Sequence, residues 1–186
     1  MEKIRSFLAI DIDNSLKDKI IEVQRSLREA EAQLKFVEPE NLHFTLKFFG
    51  ETNQKILEEI SNIIKEKIKP YKPFKLKIEG LGVFPNKNYM RVLWLGVQNP
   101  EEFSEIQKTL DKEFQKLGFR KERSYIPHLT IARVKGGKNK DRLREKIEEL
   151  ANTKIGEMQV KKLKLKKSEL KPEGPEYTNL KTFKLG

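Results

Sequence analysis

Shifting the chain by 85 positions, from residue 43 to residue 128, lays it on itself. His43 then falls on His128 and Thr45 on Thr130. The same shift carries the apolar run at Phe7 onto the run at Val92, and the helical pattern after Asn53 onto the one after Lys138. It also carries residues 74–83 onto 159–168. Residue identity between the halves is low outside the His-Thr positions, so the repeat resides in the order of elements. Few features restrict a fold more, because each copy must bury its own apolar face against its neighbour.

The copies read as strand, helix, strand, helix, strand. Residues 5–12 form an apolar run suited to a buried strand. A helix follows to about residue 34, with Asn14 or Ser15 as its N-cap and Leu16, Ile20, Val23 and Leu27 on one face. Residues 42–49 alternate as a strand, and residues 53–69 form a helix stopped by Pro70. Strands at 74–83 and 89–97 join through a turn at 85–88. A helix is expected over 100–117 with Gly118 as its C-cap, a strand over 126–134 and a helix over 141–151. Strands at 159–170 and 177–185 close the chain. The expected class is α+β and bilobal. Two lobes related by a pseudo-twofold axis turn antiparallel sheets toward a central cleft and carry their helices outside. The 186 residues fit one domain made of two repeats, roughly 1–85 and 86–186.

Composition narrows the function classes. At 36% charged residues, and with no apolar run near the ~20 needed to cross a bilayer, the chain is not a membrane protein. The first residues pass directly into a strand pattern without a signal-type apolar segment, so a cytoplasmic protein is expected, with a monomer as the default. There is no Cys, which excludes disulfides and thiolate metal sites. The net charge of +11 suits a polyanionic partner through counterion release, although a lysine-rich solvated surface gives the same sum.

Chemistry concentrates at the two histidines, the whole histidine content of the chain. Both stand in one pattern, His43-Phe44-Thr45-Leu46 and His128-Leu129-Thr130-Ile131. On a strand, residues i and i+2 share a face, so each imidazole stands beside a hydroxyl while the intervening residues point to a core. Two imidazoles facing each other suit in-line attack on a phosphodiester. A neutral one takes the proton of water, a protonated one gives a proton to the leaving oxygen, and the hydroxyls bind the non-bridging oxygens. Two histidines are too few ligands for the usual zinc site. Neither a G-x-S-x-G elbow nor a G-x-x-x-x-G-K-[ST] loop is present. No metal and no cofactor are expected.

At these positions the sequence resembles the 2H phosphoesterase superfamily. Within it the chain is most similar to the RNA 2′,3′-cyclic phosphodiesterases, historically called 2′-5′ RNA ligases. The likeness extends to Phe7-Leu8-Ala9-Ile10-Asp11, Asn41 through Glu51, Gly82-Val83-Phe84-Pro85, and Pro127 through Arg133. It implies a hydrolase that opens RNA 2′,3′-cyclic phosphates to 2′-phosphomonoesters, with tRNA fragments among the candidate substrates. It also implies that joining a cyclic phosphate to a 5′-hydroxyl, a reversible 2′-5′ ligation, uses the same groups. By resemblance His43 is the general acid and His128 the general base; the near symmetry of the site leaves that division open on physical grounds.

Other candidate contacts follow. Arg133 would point away from the cleft on an ideal strand, but a bulge or the strand end would bring it round; the resemblance implies a phosphate contact, and a surface charge is the competing reading. Lys47 shares parity with His43 and Thr45 and so is a candidate to add positive potential to the cleft, with a solvated lysine as the equal alternative. Phe84 and Tyr125, in loops near the cleft mouth, are candidates for stacking on a base, with core packing as the competing reading. Residues 160–171 are rich in lysine and suit either an RNA backbone or a solvated strand face. The rival to an enzyme is a non-catalytic RNA- or nucleotide-binding module on the same fold.

Overall fold

A computed structural model describes residues 2–186. The described residues form nine strands, four α-helices and a 3-10 turn. In chain order they are β1 (Ile4–Asp11), α1 (Asn14–Arg28), β2 (Leu34–Phe36), the 3-10 turn Pro39–Asn41, β3 (His43–Thr52), α2 (Gln54–Lys67) and β4 (Phe74–Asn86). The second half holds β5 (Tyr89–Val97), α3 (Glu101–Lys116), β6 (Leu129–Val134), α4 (Lys140–Glu149), β7 (Lys154–Val160), β8 (Lys162–Lys171) and β9 (Gly174–Lys184).

The strands make one curled antiparallel sheet in the order β7-β4-β5-β6-β3-β1-β8-β9, with β2 beside β6. Under the 85-residue shift β1 corresponds to β5, β3 to β6 and β8 to β4. The central order β4-β5-β6 followed by β3-β1-β8 is therefore a palindrome, as a pseudo-twofold axis between β3 and β6 requires. At that seam Phe44 pairs with Leu129, two residues that are themselves 85 positions apart. Both are fully buried.

The helices cover the outer face by the expected stripes. Leu16, Ile20, Val23 and Leu27 of α1 are buried, as are Leu57, Ile60 and Ile64 of α2 and Phe103, Ile106, Leu110 and Phe114 of α3. Each such side chain contributes about 1.5–3 kcal/mol through burial. The cap of α1 is Asp13 rather than Asn14 or Ser15, its carboxylate accepting from the Ser15 amide at 2.9 Å. Asn53 caps α2 through the Ile56 amide at 2.9 Å. The first helix stops at Arg28, six residues short of expectation, because Glu31 adopts φ 53° and the chain turns to lay β2 on β6. The expected strand at 159–170 is mainly β8, and a further strand, β7, precedes it and ends at Val160. Among the described residues no helix is long and apolar enough to cross a membrane.

Candidate active site

β3 and β6 lie side by side and antiparallel at the seam. Continuing the Phe44–Leu129 register sets His43 opposite Thr130 and Thr45 opposite His128. With Phe44 and Leu129 turned into the core, all four polar side chains line one cleft of about 1150 Å³. Alternation thus accounts for the face that the two motifs share.

The His43 ring is fixed on both nitrogens. Its Nδ1 lies 2.7 Å from the Asn41 carbonyl oxygen, to which it donates, and its Nε2 lies 2.9 Å from the Thr45 hydroxyl. That pairing makes Nε2 the nitrogen that faces the cleft with an exchangeable proton. His128 is held likewise by the carbonyl of Ile126, again two residues upstream. Each ring also sits between two aromatic side chains. His43 packs on Phe7 and Tyr177 with centroids 5.0 and 5.4 Å away. His128 packs on Phe84 and Trp94 at 4.7 and 4.6 Å. The Trp94 ring can approach so closely because residue 82 is glycine; a Cβ there would collide with the indole.

Burial pushes the proton affinity of both imidazoles below the ordinary value of 6.5. The Asn41 carbonyl opposes this at His43 and the Ile126 carbonyl opposes it at His128. Lys166 lowers His43 further and Asp11 raises it. Those two form an ion pair beneath His43, and Lys164 joins it from the same strand, 2.7 Å from the other Asp11 oxygen. The lysine-rich run is therefore not a plain solvated face. Lys166 shares the face of Lys164 on β8, pairs opposite Phe7, and is buried there.

Two bulges decide which further residues reach the cleft. In β3, Thr45 pairs with Ala9 and Lys47 with Leu8, so Leu46 is the extra residue. In β6, Thr130 pairs with Trp94 and Ala132 with Leu93, so Ile131 is the extra residue. The bulges sit at equivalent places, 46 and 131, and each reverses the parity of the residues beyond it. Arg133 is brought into the cleft wall, as is its counterpart Phe48. Lys47 is carried the other way, against the expectation from alternation. It lies 4% exposed behind the sheet, paired with Asp111 at 2.7 Å and Glu122 at 3.3 Å. Tyr125 joins the same buried group, its hydroxyl donating to Asp111 at 2.9 Å, and neither residue lines the cleft. Burial and the Asp111 charge push the Tyr125 hydroxyl up to about 12. Phe84 is likewise outside the residues that line the cleft; it packs against His128 and Trp94 and is 41% exposed.

Among the cleft-lining residues that sequence reasoning did not single out, two stand near the histidine motifs. Arg5 of β1 lines the cleft with its guanidinium 4.5 Å above the Phe48 ring. Tyr177 of β9 lines it beside His43, and its hydroxyl feels both Arg133 and Arg5. One wall is thus cationic and aromatic, suited to a phosphate with an attached base. Among the described residues no group of three or more His, Cys, Asp or Glu side chains is placed to hold a metal ion.

The model of the 2′-5′ RNA ligase superfamily matches residues 14–171. A protein of Methanothermobacter thermautotrophicus named RNA 2′,3′-cyclic phosphodiesterase is 54% identical, with 98% of this chain and 100% of that protein covered. One of the same name from Methanocaldococcus jannaschii is 43% identical, over 97% of this chain and all of that protein. Among solved structures, one from Thermus thermophilus superposes with a TM-score of 0.83 at 26% identity, covering 98% of each chain. Escherichia coli LigT, solved with 3′-AMP, has the same fold at a TM-score of 0.77 and 24% identity, covering 100% of this chain and 99% of that one.

Proposed function

The chain belongs to the 2′-5′ RNA ligase superfamily, and from that premise we propose that it is an RNA 2′,3′-cyclic phosphodiesterase. The observation that carries the mechanism is the convergence of His43, Thr45, His128 and Thr130 on one cleft whose wall also presents Arg133. In the proposed reaction His128 accepts a proton from water as its oxygen attacks phosphorus opposite the 3′ oxygen. The bond from phosphorus to the 3′ oxygen breaks, His43 protonates that oxygen, and a 2′-phosphomonoester remains. Thr45, Thr130 and Arg133 hold the non-bridging oxygens, where charge accumulates in the transition state. Phe84, exposed beside His128, supports the base or the neighbouring ribose.

The protons and the charge are handled by side chains, so the proposed chemistry needs no metal. We take an RNA 3′ end as substrate, tRNA fragments included, and a cytoplasmic monomer as the working unit. Ligation through a 2′-5′ bond is the same ring opening with a 5′-hydroxyl in place of water: His128 takes the proton of that hydroxyl, the bond from phosphorus to the 3′ oxygen breaks, and His43 protonates the 3′ oxygen.

The test is incubation of EDTA-treated protein with an oligoribonucleotide ending in a 2′,3′-cyclic phosphate, followed by identification of the product end. A 2′-phosphate is expected. A 3′-phosphate would overturn the leaving-group assignment. A cyclic end left intact on RNA that the protein still binds would favour a binding module instead.

The pH dependence is expected to follow the two imidazoles. The active form has one ring protonated and the other neutral, so kcat/KM traces a bell between the two free-enzyme midpoints. Both midpoints lie below the ordinary 6.5, since burial favours the neutral ring. The maximum of kcat/KM therefore falls on the acid side of 6.5. A maximum on the alkaline side in a steady-state pH series would contradict this.

A further inference from the structure

Each catalytic strand carries a bulge directly after its His-x-Thr, at Leu46 in β3 and Ile131 in β6. A bulge withdraws a backbone carbonyl from the regular ladder, and a buried carbonyl needs a donor from elsewhere. Here the donor is in both cases a glutamine side chain from a helix behind the sheet. Gln107 of α3 donates through Nε2 to the Leu46 carbonyl at 2.8 Å. Gln24 of α1 donates through Nε2 to the Ile131 carbonyl at 3.0 Å, and to the Val37 carbonyl at the same distance. The glutamines are 7% and 5% exposed, and polar side chains are rare at such depth unless a buried group requires them.

The connections cross. The strut for the His43 motif comes from α3, in the second half of the chain, and that for the His128 motif comes from α1, in the first. Gln107 has a further mark of purpose: its Oε1 is buried without a partner. Leaving that acceptor unpaired costs stability, so the side chain is retained for its donor end. We infer that Gln107 and Gln24 are positioning residues, holding the Leu46 and Ile131 bulges so that His43-Thr45 and His128-Thr130 keep their aim into the cleft.

The inference rests on the proposed active site, and the physical reason is parity. If a bulge were lost, the strand would return to regular alternation. Lys47 would swing toward the cleft and Phe48 away from it, and in the other half Ala132 and Arg133 would exchange faces. The histidine beside each bulge would then be displaced relative to its partner. Displacements on the order of 1 Å can cost roughly 10²-fold in rate. Because the Ile131 carbonyl also accepts from the Val37 amide at 3.0 Å, losing Gln24 leaves it one donor. Gln107 is accordingly the more demanding position.

The experiment uses Gln107→Met and Gln24→Met, which keep the length and remove the donor. Since the chain has two histidines, each imidazole gives one set of carbon-bound proton resonances, assigned with His43→Ala and His128→Ala. Gln107→Met is expected to move the chemical shift and titration midpoint of His43 while leaving His128 in place. Gln24→Met is expected to do the reverse. In turnover of the cyclic-ended oligoribonucleotide, kcat falls about 10-fold or more in Gln107→Met, by less in Gln24→Met, and KM changes little in either.

A helix residue with a merely structural role would lower thermal stability without that crossed pattern. Variants that move both histidines, neither, or the nearer-in-sequence one overturn the inference. The resonance readout does not depend on turnover, so a protein inactive on cyclic phosphates would refute the proposed function while the crossed shifts still decided the positioning role. If a variant fails to fold, the unmodified protein supplies the second measurement. Side-chain amide protons of Gln24 and Gln107 must exchange slowly with solvent, and fast exchange of either removes its strut.

Discussion

Replacing His43 or His128 with alanine is expected to lower kcat by roughly 10²–10⁴-fold each, while affinity for the RNA changes little. The size follows from one lost proton transfer in each case, equivalent to about 2.7–5.4 kcal/mol of barrier. The two losses should not add. Once water is no longer deprotonated, protonation of the leaving oxygen accelerates little, so the double variant should resemble the worse single one. The roles separate by leaving group. A substrate whose 3′ oxygen is replaced by sulfur departs without a proton, so it should restore much of the activity of His43→Ala and little of that of His128→Ala. The opposite rescue would exchange the two roles, and no loss from either substitution would refute acid–base catalysis here. Since each ring packs on two aromatic neighbours within 5.4 Å, thermal melts of both variants belong beside the kinetics. A folded variant that has lost turnover isolates the chemistry from the packing.

The repeat was legible because apolar periodicity and the His-x-Thr pairs survive divergence, and together they anticipate the palindromic sheet order about the Phe44–Leu129 seam. Strict alternation also placed His43 with Thr45 and His128 with Thr130, since the bulges come only after each motif. Beyond them the same rule failed for Lys47. A bulge is settled by what lies behind the strand, here Gln107 on a helix 61 positions away, which no local pattern records. One local sign did exist: Ile131-Ala132 places two apolar residues where alternation would expose the second. Arg5 and Tyr177 were missed for a related reason. They reach the cleft from β1 and β9, and their nearness to it depends on sheet order rather than on their own neighbours. β7 was missed because Gly156, at φ 143° and pressed against Leu16, reads locally as a break in a strand.

Lys47→Met should cost about 3–5 kcal/mol of stability, although the residue lies outside the cleft. The ammonium of Lys47 donates to Asp111 at 2.7 Å and to the Arg120 carbonyl at 2.5 Å. Asp111 is 1% exposed and also accepts from the Glu122 amide at 3.0 Å and the Tyr125 hydroxyl at 2.9 Å. Burial pushes the Asp111 carboxyl up, but the Lys47 hydrogen bond, with those from Glu122 and Tyr125, outweighs it and holds the group below the usual carboxylate range. Removing Lys47 leaves that charge buried without its counterion. At roughly 2–4 °C per kcal/mol for a chain of this size, the melting temperature should drop by about 6–20 °C. Adding Asp111→Leu to Lys47→Met should recover part of the loss, because the orphaned charge goes with it. Recovery stays incomplete, since Glu122 and Tyr125 lose the acceptor that ties residues 119–127, the segment leading into His128, to α3. The pH dependence has a definite sign. A carboxyl whose folded proton affinity is depressed stabilises the protein above its unfolded value near 3.8 and loses that contribution as pH falls through the folded value. The wild-type protein should therefore lose more stability than Lys47→Met on acidification below about 3.8. Equal acid sensitivity of the two proteins, or a shift under about 2 °C at neutral pH, would show that the ion pair contributes little to holding β3 against α3.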